Sequence, residues 1–388
     1  MLRLENLIAG MCPNGVPFTD IKSVAEVGTG TSNGNEADES GMYPFFIRSK
    51  IVKQKSSYEY DEEAIIIPGE GGIGEIFHYV NGKYALHQRV YRIHFEDPSI
   101  STRFVYYYME AFFKKFILRK AVSATVTSIR KPMIESFQFP VPPLEVQQEI
   151  VRILDHFTEL TAELTAELTA RKEQYKYYSL SLINHAVDIK EVPIRSLGTW
   201  RGGCTPSMEN SAFWSDGNIP WVSSKDMKAP LLVDTQDHIT QEALSKTSIK
   251  LLPKNTVAIV ARSGILKHTL PVVFIPFETT VNQDIKALTA AQNIEPRYAY
   301  HVLNANSSNI LQKTKKQGGT VDSLDIQKFM NYLVPVPPLP EQRRIVAILD
   351  RFDALCNDLT SGLPAEIAAR QKQYEYYRDK LLTFKERV

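Results

Sequence analysis

At 388 residues the chain has room for two or more domains, and its 43% hydrophobic and 23% charged content is that of an ordinary globular protein. A net charge of +1 excludes a globally basic nucleic-acid coat, so any such surface must be local. No apolar run reaches the ~20 residues of a membrane span, no signal-peptide pattern opens the chain, and Cys12, Cys204 and Cys356 lie too far apart for a disulfide framework or zinc spacing. The expected setting is the cytoplasm.

Residues 1–143 hold short β-rich runs separated by turn signals. Ala64-Ile65-Ile66-Ile67 is a buried-strand candidate. Gly69-Glu70-Gly71-Gly72-Ile73-Gly74 fits G-x-G-x-x-G after a strand. The dinucleotide fingerprint needs a helix opening at its end, and 75–80 reads as a strand, so close backbone approach is expected instead. Asn81-Gly82 is a hairpin signal between 77–80 and 84–86. A helix is expected over about Thr102–Lys120.

The dominant feature comes next. Pro140-Val141-Pro142-Pro143-Leu144 precedes Gln147, Ile150-Val151, Ile153-Leu154-Asp155 and Phe157, and the same pattern returns as Pro335-Val336-Pro337-Pro338-Leu339, Gln342, Ile345-Val346, Ile348-Leu349-Asp350 and Phe352. The offset is 195 throughout (335 − 140; 352 − 157). Both copies close alike, Arg171-Lys172-Glu173-Gln174-Tyr175-Lys176-Tyr177-Tyr178 against Arg370-Gln371-Lys372-Gln373-Tyr374-Glu375-Tyr376-Tyr377. Apolar residues recur every three or four positions after the prolines, a seam for one partner helix. Unbroken from 144 to 182, the first copy would be about 58 Å long at 1.5 Å per residue. It contains two Thr-Ala-Glu-Leu tetrads, 161–164 and 165–168, whereas Ser361-Gly362-Leu363-Pro364 should break the second near Pro364. The economical solution is that the two copies pack on each other.

Between the copies the globular part repeats too. Val16-Pro17-Phe18 and Thr31-Ser32 have counterparts in Val192-Pro193-Ile194 and Thr205-Pro206-Ser207. Pro44-Phe45 and Ser49-Lys50 match Pro220-Trp221 and Ser224-Lys225, and Gln88 matches Gln283. Thr125-Val126 with Ser128-Ile129 matches Thr320-Val321 with Ser323-Leu324. Thr256-Val257-Ala258-Ile259-Val260 is the second buried-strand candidate, and 296–313 the second helical patch. The expected division is 1–143 and 189–338 as two α+β domains, with 144–188 and 339–388 as helical regions packed as an antiparallel coiled coil with pseudo-twofold symmetry.

No Walker A, H-E-x-x-H or G-x-S-x-G motif appears, nor the N/D-P-P-Y/F tetrapeptide of amino-methyltransferases, and the histidines are scattered. No catalytic, metal or cofactor site is expected on the chain. Basic residues do gather, interleaved with Tyr58, Tyr60, Trp214, Trp221 and amides. Lys and Arg contact phosphates, while Arg, Lys, Asn and Gln read base edges. The candidate DNA-binding residues are Arg48, Lys50, Lys53, Gln88, Arg89 and Lys120 in the first domain, and Lys225, Arg262, Lys267, Gln283, Lys315 and Lys316 in the second.

The doubled P-V-P-P-L…Q…I-V…I-L-D…F signature, the paired helix ends and the tetrads make the whole chain resemble the specificity subunit of type I restriction-modification enzymes. Gly202-Gly203-Cys204-Thr205-Pro206-Ser207, Phe213-Trp214 and Ile219-Pro220-Trp221 look like the opening of a target-recognition domain of that family. The resemblance implies a non-catalytic reader of double-stranded DNA, each domain taking one half of an interrupted target. It also implies two modification subunits using S-adenosylmethionine, and restriction subunits using ATP and Mg. The alternatives are a coiled-coil scaffold joining two protein-binding domains without DNA readout, and a self-sufficient enzyme.

Overall fold

A computed structural model describes residues 2–120, 128–316, 321–357 and 361–387. The chain divides into two compact units, Met1–Glu163 with Ala368–Val388, and Leu164–Ile367. Each unit therefore takes the last stretch of its helical region from the other repeat.

In the first unit the isoleucine run lies within the strand Tyr60–Pro68, at the centre of a six-stranded sheet. The order is Ala25–Thr29, Val90–Phe95, Tyr60–Pro68, His78–Leu86, Tyr43–Phe46, Lys53–Lys55. Successive side chains of a strand point to opposite faces. Ile65 and Ile67 accordingly join Phe104, Phe113 and Ile117 of the helix Thr102–Lys120, whereas Ala64 and Ile66 join Phe46, Val80 and Tyr84. Tyr43–Phe46 runs parallel to the end of His78–Leu86, pairing Phe45 with Ala85 and Phe46 with Leu86.

The Asn81-Gly82 hairpin does not form. His78–Leu86 is one strand, with Asn81 opposite Glu63 and Gly82 opposite Glu62. A two-residue type I′ turn needs φ > 0 at both central residues, and here Gly82 has φ +112 while Asn81 is not among the positive-φ residues. Pairing along the whole of Tyr60–Pro68 outweighs the local turn preference. No helix follows the 69–74 glycines either; Gly71, Gly72 and Gly74 take positive φ in a loop that leads to His78–Leu86.

The second unit repeats this order of pairing as two smaller sheets. One is Gly198–Gly202, Ile285–Ala290, Thr256–Val260, Val272–Ile275, and the other is Asp237–Ile239, Ile219–Val222, Thr280–Val281. Ile219–Val222 is again parallel to its neighbour, Trp221 opposite Thr280 and Val222 opposite Val281. The expected 296–313 helix is two, Pro296–Ala305 and Ser307–Thr314, because the backbone turns at Asn306, whose amide donates to Val302 O at 2.9 Å.

The helical regions behave as the patterns require. Leu144–Asn184 is unbroken over 41 residues, and the second copy is Leu339–Asn357 followed by Leu363–Leu381. The signature glutamine is a staple. Gln147 Nε2 donates to Pro142 O (2.7 Å) and Ser99 O (2.9 Å), and Gln342 Nε2 donates to Pro337 O (2.9 Å) and Asn293 O (3.1 Å). Phe157 stacks on Tyr377 in the first unit, and Tyr178 packs at a tilt against Phe352 in the second. In the second unit Arg171 and Lys172 lie near Cys356 while Tyr175 lies near Asp353, so the two helices run antiparallel there.

Candidate nucleic-acid interface

Each domain presents one loop against one turn, built the same way. In the first domain a Cβ at Gly30 would fall on Leu86 O, so only glycine lets the 30–36 loop lie against the end of His78–Leu86. The loop is then pinned by Ser32 N–H to Leu86 O (3.3 Å) and Gln88 N–H to Ser32 O (3.0 Å). In the second domain a Cβ at Gly203 would fall on Val281 O, and Gly203 N–H donates to Asn282 O (3.2 Å). Gly30 and Gly203 thus hold equal places. This moves the sequence matching by one residue, so that Ser32 rather than Thr31 stands opposite Thr205.

The turns match in detail. His87 Nδ1 accepts the Arg89 N–H at 3.0 Å, and Asn282 Oδ1 accepts the Asp284 N–H at 3.0 Å. An accepting Nδ1 requires neutral His87, and burial, with Arg48 and Arg89 nearby, holds its pKa below the ordinary value. The residue between is Gln88 or Gln283, exposed in both domains. Gln88 Nε2 donates to Asn33 Oδ1 (2.6 Å), while Thr205 Oγ1 donates to Gln283 Oε1 (2.6 Å). Each amide is steered by its loop, its other end has no hydrogen-bond partner among the described residues, and an amide carries both the donor and the acceptor that a base edge requires.

Around Gln88 the structure gathers Arg48 and Arg89, which meet on Glu70 at 2.9 and 3.1 Å. Arg48 and Glu70 border a cleft of about 300 Å³ lined also by Gly34, Ser49, Gly71 and His87. Hydrogen bonds from Arg48 and then Arg89 hold the Glu70 carboxyl below the usual carboxylate range. Lys50 is exposed near Glu75, and Lys53 is exposed on the sheet edge. Lys120 ends its helix, and its side chain lies outside the described residues, as do Thr125, Val126 and Thr320.

Around Gln283 stand Arg262, which binds Asp284 at 2.6 Å, and Lys315 and Lys316. The 322–324 segment ties these together, since Arg262 bridges to Ser323, Lys316 N–H donates to Ser323 O (2.8 Å) and Lys315 Nζ meets Asp322 at 3.0 Å. Lys267 is exposed at the end of the short turn Gly264–Lys267. Lys225 sits apart, 3.9 Å from Asp237. Of the aromatics, Trp221 is buried, donating to Cys204 O (3.1 Å) and packing edge-on against Trp214 at 5.1 Å, so it supports the loop. Sequence reasoning missed Glu70, His87 and Asp284. Setting the two turns in register at offset 195 would have shown Arg89 opposite Asp284, a change of sign beside an unchanged glutamine.

The model of the type I restriction modification DNA specificity domain matches residues 13–173 and again 186–369. The chain belongs to the type I restriction-modification DNA specificity family. It is 44% identical over 292 residues, 74% of this chain and 72% of the relative, to the EcoR124I/EcoR124II specificity subunit of Escherichia coli. It is 30% identical to a type I restriction enzyme specificity subunit of Haemophilus influenzae, covering 89% of each chain. The fold matches the specificity subunit of M. genitalium with a TM-score of 0.58 at 15% identity, covering 95% of this chain and 96% of that one. A chain solved in a study of assembly and conformational transition of the type I system gives 0.63 at 14% identity, covering 95% and 98%. Two DNA specificity domains in tandem displace both the protein-scaffold and the self-sufficient-enzyme alternatives. Among the described residues no three His, Cys, Asp or Glu side chains gather as a metal site, and no helix is long and apolar enough to cross a membrane.

Proposed function

We propose that this specificity subunit reads an interrupted two-part target on double-stranded DNA, one part with each loop-and-turn site. The observation that supports this is the duplication itself: one backbone frame, with Gln88 or Gln283 at its centre, carries different neighbours in the two domains. The chain recruits two modification subunits, which supply S-adenosylmethionine and methylate adenine, and restriction subunits, which supply ATP and Mg; the complex works in the cytoplasm. Extracting a base from the duplex costs a few kcal/mol and falls to those partners.

The 161–164 and 165–168 tetrads act as a spacer between the two readings. Deleting 161–164 removes about 6 Å of helix and turns the remainder of the rod by about 40° beyond a full turn. The helix stays continuous. One base pair of DNA twists by about 34°. Methylated-base mapping in cells carrying the complete system should therefore show two fixed half-sites whose unread spacer shortens by about one base pair on deletion. An uninterrupted target, or an unchanged spacer with altered half-sites, would overturn this function.

A further inference from the structure

The two domains carry one ion pair with its charges exchanged. Gly69 N–H donates to Arg89 O (3.0 Å) and Ile129 N–H to Gly69 O (2.7 Å). Ala261 N–H donates to Asp284 O (2.7 Å) and Leu324 N–H to Ala261 O (2.9 Å). These bonds make 69 equivalent to 261, 89 to 284 and 129 to 324, so the next residues, Glu70 and Arg262, occupy one position. In the first domain the strand-end loop supplies the carboxylate and the turn the arginine, Glu70 with Arg89. In the second the loop supplies the arginine and the turn the carboxylate, Arg262 with Asp284.

Stability does not account for keeping such a pair. Arg89 is 58% exposed and Arg262 57%, and ion pairs that open to water contribute about 0–1 kcal/mol. Between two copies that have diverged this far, an exposed pair has kept complementary charges while reversing its direction. The pair flanks Gln88 in one domain and Gln283 in the other. A guanidinium is a flat fork, and a carboxylate bound along one edge fixes its plane. In the second domain Asp284 takes Nε of Arg262, and the paired Nη groups have no partner among the described residues. That free edge matches the O6 and N7 acceptors of guanine. In the first domain Glu70 holds Arg48 as well as Arg89, and both use Nη1.

We infer that the exchanged pair is a specificity-determining element, in which Arg89 with Arg48, and Arg262, read guanine while Glu70 and Asp284 are positioning residues that aim them. The arginine issues from opposite sides of the glutamine in the two domains. Guanine is therefore read on opposite sides of the base that the glutamine addresses, and one scaffold yields two different half-sites. This rests on the DNA reading proposed above.

The test uses the complete complex, with affinity measured on a panel of duplexes that vary one base at a time. Glu70→Gln should lower affinity for the best target about tenfold and leave affinity for duplexes lacking one guanine of the first half-site nearly unchanged, so that discrimination at that guanine falls about tenfold, as for one degraded bidentate contact. The second half-site should not change. Reversing the other pair, Arg262→Glu with Asp284→Arg, keeps an ion pair in place and should change the preferred base in the second half-site only. If Glu70→Gln strengthens binding equally on every sequence, the arginines are phosphate clamps and the inference fails. If neither variant alters discrimination, the pair is ornamental to recognition and the inference fails again. Failure of the underlying DNA reading would look different, because the unsubstituted complex would then show no two-part target.

Discussion

The helical anchors and the reading turns of the two repeats have diverged by different rules. At the anchors, a residue on the domain helix grips the start of the helical region in both copies. Arg103 binds Asp155 at 2.8 Å, with Tyr107 donating to the same carboxylate at 2.5 Å. Arg297 binds Asp350 at 2.6 Å, with His301 Nε2 on the same carboxylate at 2.6 Å. Tyrosine and histidine differ, but each delivers a hydrogen to the same acceptor, so the geometry is kept. At the turns the backbone is kept and the charges are exchanged. Holding requires one arrangement, since a buried donor or acceptor left unpaired costs about 1–3 kcal/mol. A turn that reads DNA, as inferred above for these two, tolerates any arrangement that still pairs in the free chain, and on that inference the difference there separates the half-sites.

Removing the anchors should have the largest effect. Asp350→Ala leaves the fully buried His301 without its acceptor and Arg297 with Asp353 alone, at 3.2 Å, so the second unit should lose about 2 kcal/mol, below the range for a broken buried pair because Asp350 is 37% exposed and Arg297 keeps one carboxylate. Asp155→Ala should cost about half of that, since Arg103 is 26% exposed and can turn to water. Urea midpoints of the two variants decide the order. Equal losses would mean that His301 adds nothing to its anchor.

Next, and close in size, are the glycines beneath the reading loops. Gly30→Ala and Gly203→Ala drive a methyl group into a backbone carbonyl that cannot swing aside, and each should cost about 2 kcal/mol and weaken recognition of its own half-site. Gly34→Ala is the contrast, because the nearest atom to its Cβ would be 3.9 Å away, and it should be neutral in denaturant titration. A silent Gly203→Ala would show that the loop is not wedged as described.

The smallest effect separates the anchors by pH. Asp350 is acceptor-only when ionised, so His301 Nε2 carries the hydrogen and Nδ1 accepts from the Tyr175 hydroxyl at 3.0 Å. Burial pushes the His301 pKa below the ordinary value. The unfolded chain therefore takes up a proton near pH 6.5 that the folded chain refuses, and stability falls as pH drops through about 6.5. The loss is about 1.4 kcal/mol for each tenfold difference in proton affinity. Tyr107 stands in that place in the first unit and does not titrate there. Melting curves at pH 7.5 and 5.5 should show a shallower acid decline for His301→Gln than for the unsubstituted chain, whereas parallel declines would mean His301 is protonated while folded.

Periodicity and repetition alone determined the long helix, the break before Pro364, the buried strands and the duplicated plan. Those features rest on local propensity and on patterns with fixed spacing, and a staple glutamine three residues past Leu144 or Leu339 recurs because the helix start has the same orphan groups to satisfy in both copies. The basic clusters and the matching of Gln88 to Gln283 also brought out Arg89, Arg262 and the two glutamines as candidates. What the sequence could not place was their company. Asn81-Gly82 reads as a turn until the neighbouring strand claims its hydrogen bonds, and Glu70 lies 19 residues from Arg89 in the chain but 3.1 Å away in the fold. Which carboxylate faces which arginine depends on strand pairing between distant segments, and that is settled only when the sheet closes.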